Sequence, residues 1–130
     1  MGLIPEEFAD LLERPLYVHL ATVRPDGGPQ SNPMWCMWDG EFLYFTNTTT
    51  RQKYKNVSGE QRVAVSVVDP ERPFRYLEVR GTVERIEPDP TASMFLKLGE
   101  RYGLTMKEPP ADAANRVIYV VRPTAVSHQS

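Results

Sequence analysis

The segment with the clearest chemical potential runs from Thr48 to Lys55. It reads Thr-Thr-Thr-Arg-Gln-Lys-Tyr-Lys, so three hydroxyl side chains precede the cations Arg51, Lys53 and Lys55. Hydroxyls, free N–H groups at a helix start and flexible cations are the groups with which proteins hold a phosphate. The same composition is also typical of a polar turn whose charges face water. From the spacing alone, both interpretations stay open.

Two apolar runs flank this segment and predict strands on either side of it. Residues 42–47 precede it, and residues 61–69 follow with Val63, Val65 and Val67 on one face. Alternation of this kind is typical of a half-buried strand. The cations are therefore predicted to lie where a strand ends and a short helix begins.

Four further strands are predicted, at residues 17–23, 30–38, 76–86 and 116–127, because these runs are rich in β-branched and aromatic residues. Asp39 and Gly40 form the strongest hairpin turn signal. Gly81 in the middle of a strand predicts a bulge or a close backbone approach.

Short helices are predicted near the N-terminus and after the fifth strand. Residues 5–12 begin with Pro5, and a later helix is predicted to start with Asp89 as N-cap and Pro90 as its first residue, and to end at Gly103. Residues 104–115 are predicted to be a loop.

Length and composition set outer limits. The 130 residues suit a single domain spanning residues 1–130, and the net charge of −2 gives no overall attraction to nucleic acid. No apolar run approaches the roughly 20 residues of a membrane span, and no secretion signal is visible at the N-terminus. Cys36 is the only cysteine, which fits a reducing compartment. We therefore expect a cytoplasmic protein without nucleic-acid or membrane partners.

Motifs for other chemistries are missing from the sequence. It contains no Cys-x-x-Cys, no His-Glu-x-x-His, no Gly-x-Ser-x-Gly and no phosphate-binding loop with a Lys-Ser/Thr end. No metal site, hydrolase nucleophile or P-loop is therefore predicted.

The predicted fold class is mainly β, a six-stranded antiparallel barrel with short helices, because most strands follow one another in hairpin order. Several aromatic residues are surplus to one small core, and they predict either a homodimer interface or covers for the ends of the barrel. They are Trp35, Trp38, Tyr54, Phe74 and Tyr76.

Six short motifs follow one another along the chain, at residues 20–27 (LATVRPDG), 29–35 (PQSNPMW), 38–40 (WDG), 46–47 (TN), 51–57 (RQKYKNV) and 78–83 (EVRGTV). Their order and spacing resemble the pyridoxamine 5'-phosphate oxidase-like split-barrel proteins, and more narrowly the flavin/deazaflavin oxidoreductases that use coenzyme F420. The resemblance covers about residues 17–127.

The resemblance implies a split-barrel homodimer with two cofactor sites at the subunit interface. Arg51 and Lys53 would hold the cofactor phosphate. The ring would lie over the second and third strands, with contacts from Asn32, Pro33, Met34, Trp35, Thr46, Asn47 and Thr48, and Tyr76 of the partner subunit would close the pocket. Asn32 stands where the family often has Thr or Ser.

The implied activity is an F420-dependent oxidoreductase that transfers hydride between the deazaflavin and a small conjugated organic substrate. No residue needs to act as a nucleophile, because the chemistry belongs largely to the cofactor. Alternatives are an FMN-dependent oxidoreductase of the same fold, a non-catalytic carrier of F420 or flavin, and a haem-binding relative. Lys55 would meet the acidic tail of F420 or be solvated. Whether the loop at residues 104–115 covers the ring distinguishes enzyme from carrier.

Overall fold

The computed structural model describes residues 2–130. Its helices are α1 (Asp10–Glu13), α2 (Gln52–Gly59) and α3 (Ser93–Arg101), with 3-10 turns at Glu6–Phe8 and Ala113–Asn115. Its strands are β1 (Val18–Val23), β2 (Pro29–Met34), β3 (Met37–Trp38), β4 (Leu43–Thr48), β5 (Arg62–Asp69), β6 (Arg72–Pro88) and β7 (Arg116–Gln129). No helix in this part of the chain is both long and apolar enough to cross a membrane.

All strands join one antiparallel sheet in the order β2-β1-β5-β6-β7-β4-β3. Its two edges, β2 and β3, are neighbours in sequence and only Trp35 and Cys36 separate them. The step from Met34 to Met37 spans at most about 11 Å. The sheet must therefore curl until its edges nearly meet, and no ladder joins β2 to β3 in the described chain. This is a split barrel, as the sequence predicted.

The prediction of six strands was wrong by one. The run at residues 30–38 is broken at Trp35 and Cys36, so β2 pairs with β1 whereas β3 pairs with β4. Cys36 is buried at the break, and its N–H donates to the hydroxyl of Tyr102 at 3.0 Å. A tertiary hydrogen bond replaces the ladder bond there, because the chain is passing from one sheet edge to the other.

The core follows the alternation that predicted it. Val63, Val65 and Val67 of β5 are all buried, and Leu77 and Val79 of β6 join them. Successive side chains of a strand point to opposite faces, so one face of each strand fills the barrel. The 3-10 turn and α1 close one end with Phe8, Leu11 and Leu12.

Gly81 has the role that its position predicted. The β6–β7 register shifts between Arg80 and Gly81. A Cβ atom at Gly81 would lie 2.6 Å from the carbonyl oxygen of Arg122. The prediction of a bulge with close backbone approach is confirmed.

Helix α3 begins later than predicted. Asp89 caps it as expected, accepting hydrogen bonds from the Ser93 N–H at 3.0 Å and the Met94 N–H at 2.9 Å. Pro90 is not the first helical residue, because the chain makes a turn in which Ala92 has φ 57° before the helix starts at Ser93. The cap therefore reaches over a turn instead of preceding the helix directly.

A dense ion cluster fastens α1 to the turn end of the β5–β6 hairpin. Arg75 pairs with Asp10 at 2.5 Å and with Asp69 at 2.9 Å, and Arg14 lies 3.4 Å from Asp10 and also pairs with Glu71. The hydrogen bond from Arg75 lowers the pKa of Asp10. Every one of these cations has a carboxylate partner.

Candidate cofactor-binding site

The connection from β4 to α2 presents an uncapped helix start. Arg51 is extended, with φ −89° and ψ 152°, and no side chain caps the first N–H groups of α2. Just before it, the hydroxyls of Thr48 and Thr50 lie 2.8 Å apart. Free N–H groups and the positive end of the helix dipole favour an anion at this point.

Arg51 and Lys53 have no carboxylate partner in the part of the chain that the structure describes. Lys53 is half-buried, and this burial, followed by the charge of Arg51, lowers the pKa of its ammonium group. Two neighbouring cations, one of them partly desolvated, destabilise each other unless an anion joins them. An anion beside them would relieve that repulsion, and the predicted phosphate contact of Arg51 and Lys53 stays a prediction.

A buried amide links α2 to strand β1 and to the edge strand β2. Asn56 is 1% exposed. Its Nδ2 donates to Thr22 Oγ1 at 2.9 Å and to Gln30 Oε1 at 3.2 Å, and its Oδ1 accepts from Gln52 at 3.0 Å. Because β2 has no strand on its outer side, this network holds β2 against the helix.

The same network orients Asn32. Gln30 Oε1 accepts from both Asn56 and Arg24, the latter at 2.8 Å, so its Nε2 must face the other way. That Nε2 donates to Asn32 Oδ1 at 2.9 Å. The Asn32 amide therefore keeps its Nδ2 donor for a ligand, and the group that it suits is an acceptor such as a ring carbonyl.

A pocket of about 220 Å³ opens beside the seam of the barrel, the gap between the edge strands β2 and β3. Of the predicted ring contacts, the structure brings Pro33, Met34, Trp35 and Thr46 to this pocket. Tyr17, Phe95 and Arg116 line it as well. Sequence reasoning missed these three, because each reaches the pocket from a distant part of the chain.

The remaining predicted contacts have different surroundings. Asn47 is buried and donates to the hydroxyl of Tyr119 at 3.0 Å, on the inner face of the barrel. Thr48 is buried beside Thr50. Contacts from these two residues to a cofactor stay predictions.

Tyr76 does not line the pocket in its own chain. It pairs with Gln129 at the end of β7, whereas the pocket residue Arg116 begins that strand. The contact from Tyr76 of the partner subunit to the ring stays a prediction.

A larger cavity of about 430 Å³ lies between the β1–β2 turn and the end of α2. Arg24 and Lys55 face it from its two sides, and neither forms an ion pair with the residues described. Glu60 also lines it but is engaged by Arg62 at 2.7 Å. The cavity suits a second anionic group on a ligand anchored at α2.

The two ends of the loop at residues 104–115 contact different parts of the chain. Its start packs on α3, where the Leu104 N–H donates to the Gly99 carbonyl at 2.8 Å and Met106 contacts Gly99. Its end reaches the site, since Asp112 pairs with Arg116 at 3.1 Å and the Asn115 carbonyl accepts from the Thr49 N–H at 3.0 Å. The loop thus supports the wall of the pocket.

Comparisons with known proteins agree with this architecture. Residues 4–130 match the pyridoxamine 5'-phosphate oxidase family. A solved structure named F420 reductase is 63% identical, with a TM-score of 0.94 over 97% of this chain and 100% of that chain. A comparison with curated proteins finds no match.

More distant structures share the fold alone. A conserved hypothetical protein from Mycobacterium tuberculosis is 24% identical, with a TM-score of 0.76 over 98% of this chain and 85% of its own. The General Stress Protein 26 from Bacillus anthracis is 22% identical, with a TM-score of 0.70 over 95% of this chain and 91% of its own. With a family match across nearly its whole length and the seam that splits its barrel, this chain belongs to the pyridoxamine 5'-phosphate oxidase family.

Proposed function

We propose that the chain is an oxidoreductase that uses coenzyme F420 and reduces a small conjugated organic compound. The observation that carries the proposal is the pair Arg51 and Lys53, left without carboxylate partners in the described chain beside an uncapped helix start. The name of the 63% identical structure, F420 reductase, supports the same cofactor.

Each part of the site has a role toward that cofactor. Arg51 and Lys53, with the first N–H groups of α2, bind the phosphate. Asn32 donates to a ring acceptor through the amide that Gln30 leaves free. Met34 and Trp35 contact the ring and exclude water from it. When bound, the reduced deazaflavin supplies the hydride, and solvent supplies a proton to the product.

An FMN-dependent oxidoreductase is the second candidate, because FMN also combines a flat ring, a ribityl chain and a phosphate. The cavity between Arg24 and Lys55 favours F420, since F420 carries an acidic tail that FMN lacks. A Lys55→Ala variant is expected to weaken F420 binding and to leave any FMN binding unchanged.

Binding of the two cofactors, measured by fluorescence titration, tests the anchor. Arg51→Ala and Lys53→Ala should each weaken F420 binding by about 1–3 kcal/mol, the range for losing a charge-assisted hydrogen bond. Lys97→Ala is the matched control, because Lys97 is exposed on α3. Unchanged affinity in both anchor variants, or tighter binding of FMN than of F420, would contradict the proposal.

Turnover separates an enzyme from a carrier. Purified protein with reduced F420 and an enone or quinone should oxidise the cofactor steadily, as followed by the return of its absorbance. Tight binding without turnover of any such acceptor would favour the carrier.

We also propose that the chain is a homodimer. The outer face of β1, β2 and β5 carries small side chains in register, with Ala21 opposite both Ser31 and Ala64. A flat face of small residues lets a second sheet approach closely, and a second copy is what Tyr76 needs to reach a ring. Sedimentation equilibrium measures the mass, and a monomer at micromolar concentration would contradict this proposal.

A further inference from the structure

The pocket beside the seam has an aromatic wall that the barrel core does not require. Trp35 stacks on Tyr102 with ring centroids 5.4 Å apart and an interplanar angle of 16°, and it contacts Phe95 at 5.8 Å. Tyr17 meets Tyr102 edge-on at 5.5 Å and is itself 62% exposed. Exposed, mutually packed aromatic rings offer a flat apolar ligand a ready surface.

This wall is held rigidly by the end of α3. The Tyr102 hydroxyl donates to the Leu16 carbonyl at 2.7 Å and accepts from the Cys36 N–H at 3.0 Å. Arg101 donates to the carbonyls of Leu12, Glu13, Arg14 and Cys36 at 2.8–3.0 Å. The aromatic surface is therefore organised before any ligand arrives.

Arg116 is the cation of this pocket. Asp112 grips one edge of its guanidinium through Nε at 3.1 Å and Nη2 at 3.3 Å. The guanidinium lies 4.3 Å from the ring centroid of Phe95, and Nη1 is 3.5 Å from Thr46 Oγ1. The side chain is only 13% exposed. Because Asp112 occupies one edge, the remaining N–H groups are available to an oxygen in the pocket.

We propose that this pocket is the subsite for the hydride acceptor and that Arg116 binds the acceptor's carbonyl or carboxylate oxygen. This inference rests on the proposed function. Most of the predicted ring contacts in this pocket come from the end of β2 and the residue after it, whereas Phe95 and Arg116 line the pocket from α3 and β7. Its volume of about 220 Å³ is below the roughly 300–1,000 Å³ of drug-sized sites. The cofactor ring shares this pocket, so the space beside it admits only a small conjugated acceptor.

The chemistry of reduction explains why a cation is useful there. Hydride adds to the carbon β to the carbonyl, the C=C electron pair moves toward the oxygen, and a proton from solvent then reaches the α-carbon. The acceptor gains two electrons and two hydrogens, and the cofactor loses two electrons. Negative charge develops on the oxygen during the first step, so a fixed donor at that oxygen lowers the barrier.

Direct binding tests the subsite without the cofactor. The probe is 2-naphthoate, and the readout is quenching of Trp35 fluorescence in a Trp38→Phe background, in which Trp35 is the remaining tryptophan. Arg116→Gln should weaken naphthoate binding at least tenfold, and Arg116→Lys should weaken it less. Arg122→Gln, an exposed arginine of the same strand that pairs with Glu84, is the matched control and should change nothing.

Turnover supplies the second readout. With 1,4-naphthoquinone as acceptor, Arg116→Gln should lower kcat/KM at least tenfold while the F420 dissociation constant changes less than twofold. Unchanged naphthoate binding in Arg116→Gln and Arg116→Lys, with the thermal midpoint of wild type, would overturn the inference. So would an equal loss of F420 affinity, which would assign Arg116 to the cofactor. If naphthoate binds through Arg116 but F420 does not bind at all, the proposed function fails and the subsite stands.

Discussion

Among the residues that the structure describes, two clusters of cationic side chains differ in their partners: one is paired with carboxylates, and the other is not. At the turn end of the β5–β6 hairpin, Arg14 and Arg75 are surrounded by carboxylates, with Arg75 pairing to Asp10 and Asp69. At the start of α2, Arg51 and Lys53 lie together with no carboxylate partner in residues 2–130. The first cluster fastens one element to another, and we propose that the second binds an anionic ligand.

This difference teaches that pairing, more than residue type, distinguishes an anchor for the fold from an anchor for a ligand. A cation with buried carboxylates contributes to stability, and removing it leaves uncompensated charge behind. A cation held near another cation weakens the fold slightly and contributes binding energy when an anion arrives. The two clusters should therefore respond in opposite ways to the same kind of substitution.

The largest effect is expected for the double variant Arg51→Ala/Lys53→Ala. Loss of both anchors should weaken F420 binding roughly 100-fold or more, because each contributes a charge-assisted hydrogen bond. The thermal midpoint should not fall, because neither side chain forms an ion pair with the residues described that the substitution would remove. Fluorescence titration measures the F420 affinity and calorimetry the thermal midpoint of the same preparation. A loss of affinity accompanied by a lower thermal midpoint would show that this pair also stabilises the fold, which would contradict the contrast between the two clusters.

Arg75→Met should do the reverse. Without the guanidinium of Arg75, buried Asp69 keeps only its longer ion pair with Arg14, at 3.6 Å, among the residues described. We therefore expect the thermal midpoint to drop by roughly 5–10 °C. F420 affinity of the folded protein should remain that of wild type. Arg72→Met is the control, because Arg72 is exposed on the same hairpin and forms no ion pair with the residues described. Its guanidinium lies 5.6 Å from the ring centroid of Phe74.

At low pH, the difference in thermal midpoint between wild type and Arg75→Met should become smaller. The pKa of Asp10 is lowered from 3.8 in the folded chain, chiefly by its hydrogen bond from Arg75. The stabilisation that ionised Asp10 gives to the folded state is therefore complete above the ordinary pKa of 3.8. It is lost as the pH falls through the lowered pKa of the folded state. Thermal midpoints measured between about pH 7 and pH 3 should converge at the acid end. A constant difference over this range would show that Asp10 does not respond to Arg75.

The smallest effect is expected for Lys53→Met without ligand. Burial and the charge of Arg51 lower the pKa of Lys53, so the folded state disfavours its ammonium form. Methionine keeps the apolar stem and removes that penalty, so the midpoint should rise by about 1–2 °C near neutral pH. The gain should vanish as pH rises toward the ordinary lysine value of 10.5. A lower midpoint would mean that Lys53 stabilises the fold.

The fold was largely readable from local pattern. Alternation along β5 and the glycine at position 81 predicted buried faces and a bulge that the structure contains. The break at Trp35 and Cys36 was missed because periodicity reports the faces of a strand and not the partner that it pairs with. Only the assembled sheet shows that the chain changes edges there.

The site divides in the same way. The role of Arg51 and Lys53 toward a cofactor stays a prediction, but their placement between a strand end and a helix start could be predicted because these features are adjacent in sequence. Phe95 and Arg116 could not, because tertiary packing alone brings α3 and β7 to the pocket. The amide network of Asn56 and Gln30 had a weak signal, since Gln30 and Asn32 are polar at alternate positions of one strand.

Cys36, which lies between β2 and β3, can be used to measure local opening of the chain by thiol labelling. It is 2% exposed, and burial raises the pKa of its thiol to about 12. A thiol this protonated reacts slowly with maleimides while it stays buried. Because no other cysteine competes, the rate of labelling measures how often the chain between β2 and β3 opens to solvent.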